Sequence, residues 1–180
     1  MKTDLIYANK LPHPSSLASV SILIYDKYLQ KNPSLNKWIE QFSFSLPVKA
    51  GENLKQLNQF EKHLLTLLKI VEKAKTKNIT IVALGGGSLG DFAGFLASVF
   101  KRGVPLIHIP STWLSAIDSS HGGKTALNVA GYKNQIGTFY PANKIYIIKN
   151  LLLTQPQVRL ADSMGEVLKT ILINGGHLWD

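Results

Sequence analysis

The chain has 180 residues, 45% of them hydrophobic and 17% charged, with no cysteine; this suits a folded domain with room for one full core and the start of a second, and excludes disorder, disulfides and thiolate metal sites. The net charge is +9, but the bases stand singly without an Arg/Lys block or a reading motif, so nucleic acid is a poor partner and a phosphorylated small molecule a better one. No apolar run approaches the roughly 18 residues of a spanning helix and the amino-terminal stretch lacks a signal-peptide core, so the expectation is a cytoplasmic protein without a membrane partner.

The apolar run "SVSILIYD" (19–26) and the alternating "FSFSLPV" (42–48) read as strands. Between them Tyr28 to Glu40 reads as a helix that starts or restarts at Pro33. Leu54, Leu57, Phe60, Leu64, Leu67, Leu68 and Val71 recur at three- and four-residue steps, predicting an amphipathic helix with Asn53 as its cap. A strand at 79–84, a glycine turn, a helix from about Asp91 to Phe100 and a strand at 104–110 complete a βαβ succession. Such alternation implies right-handed crossovers and a parallel sheet, the Rossmann-like doubly wound α/β class.

From Ser111 to Tyr140 the chain is rich in glycine and small polar residues without a sustained period, which predicts a long functional loop or a hairpin. Between Phe92 and Ala161, Asp118 is the only acid, so this half of the chain would attract anions. A strand at 144–148 follows, then a helix over 158–173 after Pro156. The expected organisation is an α/β domain over 1–155 and, over 156–180, the beginning of a truncated helical domain whose last residues, from 174, fray.

Two chemistries fit the turn "LGGGSLGD" (84–91). Gly85, Gly87 and Gly90 have the G-x-G-x-x-G spacing of a dinucleotide-phosphate loop, and Gly86, Ser88 and Gly90 the G-x-S-x-G spacing of a hydrolase nucleophile elbow. Glycines let backbone approach an anion, and the helix start offers unpaired N–H groups, so the phosphate seat is the stronger reading. It lacks the usual acid about twenty residues on that would hold a ribose. A glycine turn that merely packs helix on sheet is the third possibility.

"HGGKT" (121–125) fails as a Walker loop because Asp118 stands where its first glycine belongs. What remains is Lys124 on a glycine turn, near Asp118, Lys133 and Asn134: groups able to hold a polyoxygenated anion, or else a solvated lysine among them. Glu166 and Lys169 share a helix face at i,i+3, the spacing of a surface ion pair, and do not alone make a metal site. His63 and His13 read as structural or solvated.

Taken together, "AGENLK" (50–55), "LGGGSLGDFAGFLAS" (84–98), "RGVPLIHIPST" (102–112), "DSSHGGKTALN" (118–128), "KNQIGTFY" (133–140) and "MGEVLK" (164–169) resemble 3-dehydroquinate synthase, in order, from about Asp26 to Lys169. The resemblance implies NAD and a divalent metal, zinc or cobalt. The implied reaction converts 3-deoxy-D-arabino-heptulosonate 7-phosphate, a seven-carbon phosphorylated keto acid, to 3-dehydroquinate and phosphate in the shikimate pathway. It also implies that Gly87, Ser88, Leu89, Gly90 and Asp91 hold the pyrophosphate and that Asp26, Glu52 and Lys55 hold the adenosine side. Ser111, Thr112, Lys124, Lys133 and the segment from Leu151 to Thr154 would complete the cofactor site. Asp118, Lys124, Asn134 and Lys169 would contact substrate, Arg102 its phosphate across the interface of a homodimer, and Glu166 a metal.

Three departures from the family pattern stand out. His121 and Ser111 replace a small apolar residue and a threonine, and Ser88 replaces an aliphatic one, which creates the elbow pattern. His177 is the only histidine after Glu166, where the family uses two as metal ligands. An isolated chain is therefore expected to bind NAD weakly and turn over little or nothing. The alternatives are another sugar-phosphate cyclase, and a non-catalytic nucleotide-binding or assembly module.

Overall fold

The computed structural model describes residues 2–174; His177 and the rest of the tail from 175 lie outside them. Six strands form one parallel sheet: β1 (Asp4–Ala8), β2 (Ser21–Asp26), β3 (Phe44–Val48), β4 (Thr80–Gly85), β5 (Leu106–Pro110) and β8 (Lys144–Ile148), in the order β1-β8-β5-β4-β2-β3. The doubly wound parallel sheet expected from the sequence is the sheet observed. The first strand, β1, was not legible from periodicity: it is a half-exposed edge strand whose register runs from Asp4 against Lys144 to Ala8 against Ile148.

Because side chains alternate across a strand, each central strand feeds two cores. Ile22, Ile24, Ile81, Ala83, Leu106 and Ile145 face helices α2 (Leu57–Ala74) and α3 (Gly87–Val99). Leu23, Tyr25, Val82, Leu84, Ile107, Ile109 and Tyr146 face α1 (Pro33–Ile39), whose Leu35, Trp38 and Ile39 they bury, and Leu151 of the short α4 (Lys149–Leu152). Pro33 does start a helix, capped by Asn32, whose side chain accepts from the N–H groups of Ser34 and Leu35. The segment before it, 27–31, is a separate 3-10 turn.

Helix α2 begins three residues later than its leucine pattern suggests. Residues 52–55 form a 3-10 turn, so Asn53 lies inside that turn and Gln56 occupies the cap position without a side-chain bond. Lys75 ends α2 in a left-handed conformation.

Residues 124–139 form the hairpin the sequence left undecided: β6 (Lys124–Val129) and β7 (Tyr132–Phe139), antiparallel, joined by Ala130 and Gly131 at φ 50° and 86°. Two central residues with positive φ make a type I′ turn, the one whose twist matches paired strands. The register is interrupted between Leu127 and Val129, where two β6 steps face four on β7, so residues 133–135 loop out. The hairpin lies on α3, where a side chain at Gly94 would meet the Thr125 methyl at 2.5 Å. Sheet on one side and hairpin on the other explain why α3 is apolar nearly all round. Helix α5 (Gln157–Asn174) follows.

Candidate functional site

The glycine turn sits where β4 meets α3, at the carboxyl edge of the sheet, the usual place for a ligand in this architecture. The helix starts at Gly87, four residues before the expected start, so Gly87 to Asp91 are its first turn and not an open loop. Gly86 occupies the N-cap and no side chain caps the helix, which leaves first-turn N–H groups and the positive dipole end facing outward. A side chain at Gly86 would meet Thr112 at 3.1 Å, and one at Gly87 would meet Ser119 Oγ at 3.1 Å. Ser119 Oγ is itself buried without a hydrogen-bond partner. A seat floored by glycines, with an unsatisfied hydroxyl beside it and free N–H groups above, fits a phosphate or pyrophosphate.

The elbow alternative is not assembled. Ser88 Oγ accepts the backbone N–H of Gly51 at 3.0 Å, and among the described residues no histidine bonds to it. His108 lies beneath Gly90, 3.4 Å from where its Cβ would be; burial, and then the neighbouring His121, pushes its pKa from 6.5 down to about 4. A histidine this buried stays neutral. His121 Nε2 donates to the Ala116 carbonyl at 2.7 Å, turning the ring back onto its own segment.

The 3-10 turn 52–55 is the hub beside this seat. Lys55 donates to Asp91 Oδ2 at 2.7 Å and to Asn134 Oδ1 at 2.6 Å, with 4% of its side chain exposed. Lys55, which the resemblance sets on the adenosine side, is here a buried cross-link between turn, α3 and hairpin. Burial raises the Asp91 pKa; the Lys55 bond and charge oppose that, and Glu52 adds to it. Asp91 accordingly faces Lys55 first. Glu52, exposed at the turn, accepts from Asn128 at 3.0 Å.

Asp91, Lys124 and Asn134 line one cleft of about 290 Å³ with Thr125, Gly137, Thr138 and Phe139. Lys124 and Lys133 are exposed. Asp26, at the end of β2, caps the following turn by accepting from Tyr28 N–H at 3.1 Å. Ser111 is buried and donates its N–H to the Gly85 carbonyl at 2.9 Å. Leu89 and Leu151 are core side chains, so any contact they make to a ligand is through backbone. Thr154 Oγ1 donates to the Leu151 carbonyl at 2.6 Å.

Lys169 bonds to Glu166, which raises the Lys169 pKa, and the Asp118 charge adds to that shift; the 115–119 turn that carries Asp118 packs against α5. Arg102 is not brought to them. It follows the far end of the 13-residue α3, about 20 Å along the helix from the glycine seat. Among the described residues no group of three or more His, Cys, Asp or Glu gathers to hold a metal, so they do not by themselves fit a divalent cation, and Glu166 is one candidate carboxylate. Ser119 and Asn128 are the residues sequence reasoning missed; both lie inside "DSSHGGKTALN", but no spacing rule marks them.

Residues 45–162 match the family model described as 3-dehydroquinate synthase N-terminal. The chain is 40% identical over 133 residues to the 3-dehydroquinate synthase of Alkaliphilus metalliredigens, covering 74% of this chain and 36% of that one. It is 39% identical over 156 residues to that of Dehalococcoides mccartyi, covering 87% and 42%. Among solved structures it resembles a 2-deoxy-scyllo-inosose synthase complexed with carbaglucose-6-phosphate, NAD+ and Co2+, with a TM-score of 0.79 and 26% identity over 93% of this chain and 49% of that one. The chain thus spans less than half the length of these relatives. With the family model matching residues 45–162, well over half of the chain, the chain belongs to the 3-dehydroquinate synthase family.

Proposed function

We propose that this chain is the NAD-binding portion, over 1–155, of a 3-dehydroquinate synthase, followed by the start of its helical domain. In this reading it serves the shikimate pathway in the cytoplasm as a homodimer. The observation that carries this is the uncapped start of α3 over its glycine floor, in a chain of this family. The first-turn N–H groups, with Thr112, would take the pyrophosphate, and Asp26 and Glu52 the adenosine side. Lys124, Lys133 and Asn134 would meet the anionic substrate along the hairpin, with Asp118 and Lys169 beyond. NAD, when bound, supplies the hydride acceptor for a substrate hydroxyl and returns the hydride later. Lys55 and Asp91 would act through their pair, fixing the turn against the seat. Arg102 would serve the phosphate of a second copy's site, since its own lies a helix length away.

Calorimetry with NAD+ tests the reading: saturable binding supports it, and none overturns it. A steady-state assay with the seven-carbon phosphorylated keto acid, with and without zinc, then tests the further proposal that this chain alone turns over little; robust turnover would reject that part. The likeness to 2-deoxy-scyllo-inosose synthase favours a second reading, a cyclase for another sugar phosphate, which a substrate panel on a chain extended to the relatives' length would separate.

A further inference from the structure

Asn128 has no role in the reading above, yet its amide joins two groups that do. The residue is 2% exposed. Its Nδ2 donates to Glu52 Oε2 at 3.0 Å and its Oδ1 accepts the backbone N–H of Asn134 at 2.9 Å. Both ends of the amide are used, so its orientation is fixed: a flipped amide would set oxygen against carboxylate and N–H against N–H. Asn134 stands at φ 55° inside the looped-out stretch of β7, where its N–H has left the strand ladder and would otherwise lack a partner. Its own Oδ1 accepts from Lys55. The bonds therefore run from Glu52 through Asn128 and Asn134 to Lys55, and the backbone of the 52–55 turn joins Lys55 back to Glu52. Glu52 is exposed on its other side, and among the described residues its Oε1 makes no bond, which suits a ribose diol.

We propose that Asn128 is a positioning residue: it holds the Glu52 carboxylate and the Asn134 turn at one fixed spacing, and so sets affinity for the adenosine half of a dinucleotide. This rests on the NAD reading above. A buried amide costs desolvation that an apolar residue would not, and it is worth keeping here because both bonds point at groups lining the site.

Two substitutions in the whole chain test this, with folding followed by circular dichroism. Asn128→Ala should weaken NAD+ binding about tenfold, the loss of one hydrogen bond to a charged group. Asn128→Asp keeps the acceptor for Asn134 N–H but sets a second carboxylate against Glu52. Lys55 on the turn, Asp91 on α3, Glu61 on α2 and Lys133 on the hairpin are the other charges about this position. One proton shared between the two carboxylates restores the bond, so the Asn128→Asp to wild-type affinity ratio should rise about tenfold or more from pH 8 to pH 5. A merely structural role would leave that ratio flat. If Asn128→Ala fails to fold, the pH profile of Asn128→Asp decides. Both variants binding NAD+ like wild type at every pH overturns the proposal. If wild type binds no NAD+, the proposed function falls, and hydrogen exchange at the Asn134 amide still judges the positioning: protection in wild type that Asn128→Ala leaves unchanged would overturn it.

Discussion

Lys55 Nζ lies 2.7 Å from Asp91 Oδ2, a buried cation and a carboxylate from separate elements neutralising each other beside the glycine seat. Replacing Lys55 with methionine leaves Asp91 partly buried and unpaired, which should lower the unfolding free energy by about 2–4 kcal/mol at pH 8. Burial already raises the Asp91 pKa and Lys55 opposes that, so the raised value rises further in Lys55→Met. A carboxyl whose folded pKa exceeds its unfolded one weakens the fold as pH climbs through that window. The deficit should therefore shrink at pH 5, read by urea unfolding at both pH values; a deficit constant with pH rejects the assignment.

His108 predicts acid lability. Its pKa falls from 6.5 to about 4 on folding, so between those values the unfolded chain binds the extra proton. Stability is fully present above pH 6.5 and is lost as pH falls toward 4, by on the order of 3 kcal/mol. His108→Gln should remove most of that slope in urea melts at pH 7 and pH 4.5. Equal slopes in the two proteins would assign acid unfolding to other groups.

Ala130 holds a left-handed conformation in the type I′ turn where asparagine is far better suited. Ala130→Asn should stabilise the chain by roughly 0.5–1 kcal/mol, seen as a higher thermal midpoint, with NAD+ affinity unchanged. A lower midpoint would contradict the turn geometry.

At the seat itself, Gly87→Val places a side chain against Ser119 and over the N–H groups proposed to bind the pyrophosphate. NAD+ affinity should fall beyond calorimetric detection. Ser88→Ala removes only an acceptor for the exposed Gly51 N–H, and should change affinity less than about threefold, the scale of one solvent-exposed hydrogen bond. The reverse ranking would restore Ser88 as the working group.

How much of this was legible in the sequence follows from which forces act locally. The central strands are continuous apolar runs, and the α2 leucines repeat at helical spacing, so the parallel sheet and its crossovers could be read directly. β1 could not, because an edge strand exposed on one side carries no such run. The α2 start was misjudged because Leu54 belongs to the core through a 3-10 turn that continues the same spacing. At the candidate site, the glycine spacing marked the passage from β4 to α3 but not its conformation. Gly87 to Asp91 are already helix, and Lys55 is buried by partners 36 and 79 residues away. Asn128 and Ser119 are polar residues made significant only by what tertiary packing sets beside them.

The pairing of β1 with β8 bears on how the chain is made. Asp4 meets Lys144, so β1 waits for a strand about 140 residues further along the sequence, while β2, β3 and β4 can associate as they emerge. Such long-range pairing slows folding. Until β8 is synthesised, β5 keeps one open edge and β1 has no neighbour in the sheet. A nascent chain halted before residue 144 would expose both, and nascent-chain proteolysis should find β1 cleavable until β8 has cleared the exit tunnel.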